Sequence, residues 1–142
     1  MTDSHLLLVD DQSEILAFLA ESLEADGVHT TCARNGAEAF SLLEQRVRAG
    51  GAVAAIVSDW VMPGLDGLGL LTQVRASDEF RGLPFVLMSG IVTDEDLVGA
   101  AAHHDPDAFL LKPFTIEDLR ATIDEAIAIR QRTMRSVPAG ST

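Results

Sequence analysis

Two hydrophobic periods take turns along this chain. The apolar run Leu6-Leu7-Leu8-Val9 stops at Asp10 and Asp11, which predicts a short strand at residues 6–9. Ile15, Leu16, Phe18, Leu19 and Leu23 then recur at helical spacing until Gly27, where a helix C-cap glycine belongs. Residues 28–32 are rich in β-branched side chains and predict a second strand. Asn35 is placed to cap a second helix whose face carries Ala39, Phe40, Leu43 and Val47, closed by Gly50-Gly51.

The alternation continues. Residues 53–58 read as a strand apolar on both faces, and residues 67–76 as a helix carrying Leu68, Leu71 and Val74, with Asp66 as its cap. A fourth strand is predicted at 84–88. Thr93 or Asp94 caps the next helix, which runs through Leu97 and Val98 to His103-His104. The fifth strand is predicted at 108–111. After Lys112-Pro113, Thr115 and Asp118 form a capping box with Asp in place of Glu, and Ile116, Leu119, Ile123 and Ile127 stripe the last helix. From about Gln131 the chain turns polar, so one domain is expected over residues 1–130, with a tail or linker at 131–142.

Five near-continuous apolar strands alternating with five helices predict an α/β fold, a doubly wound parallel sheet covered on both faces by right-handed crossovers. Ligands of such sheets bind at the carboxyl ends of the strands. That rule gives the polar residues an address: Asp10 and Asp11 end the first strand, Asp59 the third, Ser89 the fourth and Lys112 the fifth.

Charge narrows the chemistry. The formal net charge of −12 argues against direct contact with nucleic acid or an anionic membrane. The longest apolar stretch near the N-terminus is too short for a signal peptide core or a membrane span. The one cysteine, Cys32, allows no disulfide framework and reads as a buried apolar filler. A cytoplasmic protein is expected.

Three carboxylates at one sheet edge repel one another and call for positive charge. Mg²⁺ suits them, because it prefers oxygen ligands and takes one or two protein carboxylates, leaving places for water and phosphate oxygens. Asp10, Asp11 and Asp59 are the candidate ligands, with the backbone carbonyl of Trp60 as another. Lys112 is the only lysine beside nine arginines; it offers a point charge to phosphate oxygens, and Ser89 a hydroxyl. One oxygen of Asp59, central between these groups, is then placed to attack phosphorus. His103-His104 is a poor chelate, since adjacent helical residues point about 100° apart.

These residues carry a family resemblance. Asp10-Asp11 after the first strand, "SDWVMPGLDG", Ser89 after the fourth strand and "FLLKPF" after the fifth resemble receiver domains of two-component response regulators, and the chemotaxis regulator in particular. The resemblance covers residues 5 to about 130. It implies a flavodoxin-like (βα)5 sheet of order 2-1-3-4-5, with phosphorylation of Asp59 by a sensor histidine kinase or histidine phosphotransfer protein in the presence of Mg²⁺. It also implies a switch: Ser89 moves toward the phosphate, Phe109 fills the vacated space, and the face of the fourth helix, fifth strand and fifth helix is reshaped for a downstream protein target or a homodimer. Such a domain is a signalling module that takes part in its own phosphorylation and dephosphorylation, not an enzyme acting on a separate substrate.

Departures from the family pattern are specific. Gly90 stands where Ala is usual, Phe109 where Tyr is frequent, and "HHDPDA" where a Gly-Ala pair precedes the fifth strand. Val61 and Ile91, two residues past Asp59 and Ser89, are apolar where polar side chains would position a hydrolytic water, which implies a slowly decaying phosphoryl state. Other functions fit less well. A haloacid-dehalogenase-type phosphatase needs a second Asp at position 61, a flavin or nucleotide site does not open with Asp-Asp-Gln, and a receiver-like interaction module without phosphorylation would have no use for the full set of acids.

Overall fold

The computed structural model describes residues 5–90, Gly99 and 105–135. Its strands are β1 (His5–Val9), β2 (His29–Ala33), β3 (Ala55–Asp59), β4 (Phe85–Ser89) and β5 (Ala108–Leu111). Between them lie α1 (Ser13–Ala25), α2 (Gly36–Arg48) and α3 (Gly67–Ala76), and after β5 comes the C-terminal helix (Ile116–Arg135). The strands form one parallel sheet of order β2-β1-β3-β4-β5. This is the expected flavodoxin-like order. The expected fourth helix with its Thr93 or Asp94 cap, His103-His104, and Ile91 lie outside the described residues.

Period-two alternation divides the strands between two cores. Leu7, Val9, Ile56, Phe85 and Leu87 face α2 and α3, meeting Ala39, Leu43, Leu70, Leu71 and Val74. Leu6, Leu8, Ala55, Val57, Val86 and Met88 face α1 and the C-terminal helix, meeting Leu16, Leu19, Leu23, Leu119, Ile123 and Ala126. The central strands are apolar on both faces because both faces are covered.

Local chemistry sets the helix starts. The Asn35 side chain accepts the N–H of Glu38 at 2.8 Å and that of Asp66 accepts Gly69 N–H at 2.9 Å. Thr115 and Asp118 complete their box reciprocally, at 3.2 and 3.0 Å.

Two expectations are corrected. Cys32 is exposed, not a buried filler. It lies on β2, an edge strand with a burial pattern far more open than that of β1, β3 or β4. Helix also continues through residues 131–135, where polar composition predicts the start of a tail. Arg130 is anchored to Asp107 and Asp105, and Met134 lies over Gly82, so the amphipathic helix stays docked one more turn.

Candidate functional site

The acids meet at the carboxyl edge of the sheet, as the strand ends predict. One carboxylate oxygen from each of Asp10, Asp11 and Asp59 lies within 4.8 Å of the others. At the effective dielectric of a protein surface, two charges that close repel by roughly 3–4 kcal/mol. Lys112 offsets part of this: its Nζ stands 3.3 Å from Asp10 Oδ2 and 3.3 Å from Asp59 Oδ1.

The acids differ in surroundings. Asp10 is fully buried, and its Oδ1 accepts the Gln12 N–H at 2.9 Å. Asp11 is half-buried beside it. Burial, and then the charge of Asp10, push the Asp59 carboxyl above its ordinary range, while Lys112 and the Trp60 N–H pull it back. These hard oxygen donors, tied together by a single ammonium, fit a small divalent cation.

β3 ends one residue later than its apolar run, so Asp59 belongs to the strand and pairs with Met88 of β4. Trp60 N–H then donates to the Met88 carbonyl at 2.9 Å. This fixes the Asp59 backbone on the β4 side. On the other side the first residue of α3 packs close, and a Cβ on Gly67 would collide with the Asp59 carbonyl oxygen. Glycine is required for that approach.

The Trp60 carbonyl, expected as a metal ligand, accepts the Gly67 N–H at 2.8 Å. A carbonyl oxygen has two lone pairs, so this bond occupies one of them. The indole of Trp60 stacks on Phe109, with ring centroids 6.1 Å apart and planes inclined by 28°. Ser89 is buried at the end of β4, and its carbonyl accepts the Lys112 N–H at 2.8 Å. β4 and β5 are thereby joined directly at the hydroxyl and ammonium positions. Lys112–Pro113 is a cis peptide bond. Val61 is largely exposed.

Two features escaped the reading of the sequence. The Gly36 N–H donates to Leu65 O at 2.9 Å, tying α2 to the loop after Asp59. At the opposite end of the sheet, Asp107 is buried between Arg75 of α3, at 2.9 Å, and Arg130 of the C-terminal helix, at 2.8 Å. The "HHDPDA" departure is the signal for this cluster, since Asp105 occupies the positive φ of 56° that suits glycine and joins Arg130 at 3.0 Å.

The comparisons agree with this geometry. The family described as response regulator receiver domain matches residues 6–124. Chemotaxis protein CheY-3 of Vibrio cholerae is 30% identical over 121 residues, covering 84% of this chain and 88% of that protein. Transcriptional regulatory protein PrrA of Mycobacterium tuberculosis is 34% identical over 137 residues, 96% of this chain and 55% of that protein. The chain thus spans about half the length of the mycobacterial relatives it matches. Among solved structures, the Francisella response regulator 1452 receiver domain superposes with a TM-score of 0.73 at 30% identity, covering 92% of this chain and 98% of that one. The fold, the acid cluster and the family match define a receiver, a signalling domain. The chain belongs to the response regulator receiver family. Among the described residues no helix is long and apolar enough to cross a membrane.

Proposed function

We propose that this chain takes a phosphoryl group on Asp59 from a sensor histidine kinase or histidine phosphotransfer protein and passes the change to a protein target. The observation that carries this reading is Asp59 at the end of the central strand, sharing Lys112 with buried Asp10 and lying within 4.8 Å of both neighbouring acids. An Asp59 oxygen attacks phosphorus as the P–N bond to the donor imidazole breaks. The imidazole leaves with the bonding pair and takes up a proton, and an acyl phosphate remains on Asp59.

Asp10, Asp11 and Asp59 would hold Mg²⁺, which when bound neutralises the acids and stabilises charge on the transferring oxygens. Lys112 exchanges its contact with Asp59 for one with a phosphoryl oxygen, and the Ser89 hydroxyl turns toward another. Phe109 moves with Ser89, leaving its stack on Trp60. The surface beside β5 and the C-terminal helix, with the expected fourth helix, then binds the target or a second copy. The −12 charge leaves any nucleic-acid output to another domain or partner.

The test is to map hydroxylamine-labile phosphate after incubation with acetyl phosphate and Mg²⁺. Label is expected on Asp59 and absent from Asp59→Asn. A wild type that takes no label reduces the chain to an interaction module.

A further inference from the structure

Beside the acceptor lies a second hollow, lined by Asp11, Arg34, Asn35, Glu38 and Pro63. Pairing between β1 and β2 brings Arg34 there. Val9 is in register with Ala33, and the Asp10 N–H donates to the Ala33 carbonyl at 3.1 Å, so Arg34 is the next residue along from the acids. Pro63 joins the lining from the loop after Asp59. That loop is held against α2 by the Gly36–Leu65 hydrogen bond.

Arg34 is exposed. Among the described residues its side chain has no ion-pair or hydrogen-bond partner, whereas Arg48, Arg75, Arg81, Arg120 and Arg130 each hold a carboxylate. Glu38 makes no ion pair with its guanidinium. One Glu38 oxygen accepts the Arg34 backbone N–H at 3.0 Å, in the first turn of α2, where the helix dipole offsets a negative charge. Inside the pocket, the three carboxylates would be balanced by Lys112 and one divalent cation. The pull on an incoming anion therefore falls to the rim, where Arg34 is the free cation among the described residues lining this hollow.

We propose that Arg34 is a specificity-determining residue, drawing doubly anionic small phosphodonors into the hollow beside Asp11 and so toward Asp59. The inference rests on Asp59 being the acceptor. With an acyl phosphate the bond from phosphorus to the donor's acyl oxygen breaks as the bond to Asp59 forms, and the carboxylate leaves with the bonding pair. Arg34 takes no part in that step; it raises the local concentration of the donor.

The experiment compares initial phosphorylation rates with acetyl phosphate, a dianion at neutral pH, and phosphoramidate, a monoanion, at saturating Mg²⁺ across ionic strengths. Arg34→Ala is expected to be about three- to tenfold slower with acetyl phosphate at low salt, within the range of electrostatic steering. Arg34→Glu should be slower still, Arg34→Lys close to wild type, and phosphoramidate less affected. The difference should close toward about 1 M salt, where the screening length falls to roughly 3 Å. An Arg34→Ala rate equal to wild type at low salt overturns the inference. So does an equal loss for both donors at every salt, which would mark a structural role. A wild type that takes phosphate from neither donor overturns the acceptor reading instead.

Discussion

The rings of Trp60 and Phe109 are stacked 6.1 Å apart, joining the residue after Asp59 to the strand that leads into Lys112. Any movement of Phe109 therefore changes the surroundings of the chain's single tryptophan. Phe109→Ala should shift Trp60 emission toward that of a more solvated indole and remove most of the emission change that follows activation. Near-identical spectra for wild type and Phe109→Ala would show that the stack transmits nothing.

Asp59 ionises with difficulty, because burial and Asp10 raise its pKa above the ordinary 3.8. Below that value both folded and unfolded chains hold the proton, and the group adds nothing to the pH dependence. As pH rises, the unfolded chain releases its proton first, so stability falls until the raised folded value is passed. Without metal, Asp59→Asn should therefore unfold at higher temperature than wild type at neutral pH. The gap should close on acidification and shrink when Mg²⁺ is added to the wild type.

Lys112 supports a fully buried carboxylate, that of Asp10. Lys112→Met leaves this charge without its ammonium and should cost about 1–3 kcal/mol in metal-free protein, as for other buried groups that lose a partner. The same substitution makes the pocket more negative. Mg²⁺ titration should give tighter binding than wild type even as phosphorylation slows.

At the other end of the sheet, Asp107 receives Arg75, Arg130 and the Phe85 N–H within 2.9 Å. Removing one partner from a buried charge cluster costs about 3–5 kcal/mol. Asp107→Ala should lower the denaturation midpoint by a corresponding amount, while the folded fraction keeps its response to Mg²⁺. A neutral Asp107→Ala would mean that the two arginines find solvent at no cost.

Val61 leaves an exposed apolar side chain two residues past Asp59. Val61→Asn offers an amide to a hydrolytic water and should shorten the phosphoryl lifetime several-fold, measured as decay of labelled phosphate. Fast decay in the wild type, unchanged by this substitution, would contradict the reading.

Features written in neighbouring residues were legible in the sequence. The Asn35, Asp66 and Thr115 caps bond within three residues, and the acids appear where apolar runs stop, so strand ends and site share one signal. Features set by distant partners were not. The exposure of Cys32 follows from the edge position of β2, and the Trp60 carbonyl is aimed by Gly67. Asp107 finds its arginines 32 and 23 positions away, a distance no local period spans. The last turn of the C-terminal helix rests on the Arg130 ion pairs and on Met134 beside Gly82, partners far away in sequence.

The most direct measurement of the central claim follows Trp60 fluorescence through successive additions of Mg²⁺ and beryllofluoride, in wild type and Asp59→Asn. A saturable change with Mg²⁺ is expected, then a second change that is lost in Asp59→Asn. A wild type silent to both additions, or a beryllofluoride response that survives in Asp59→Asn, would contradict it.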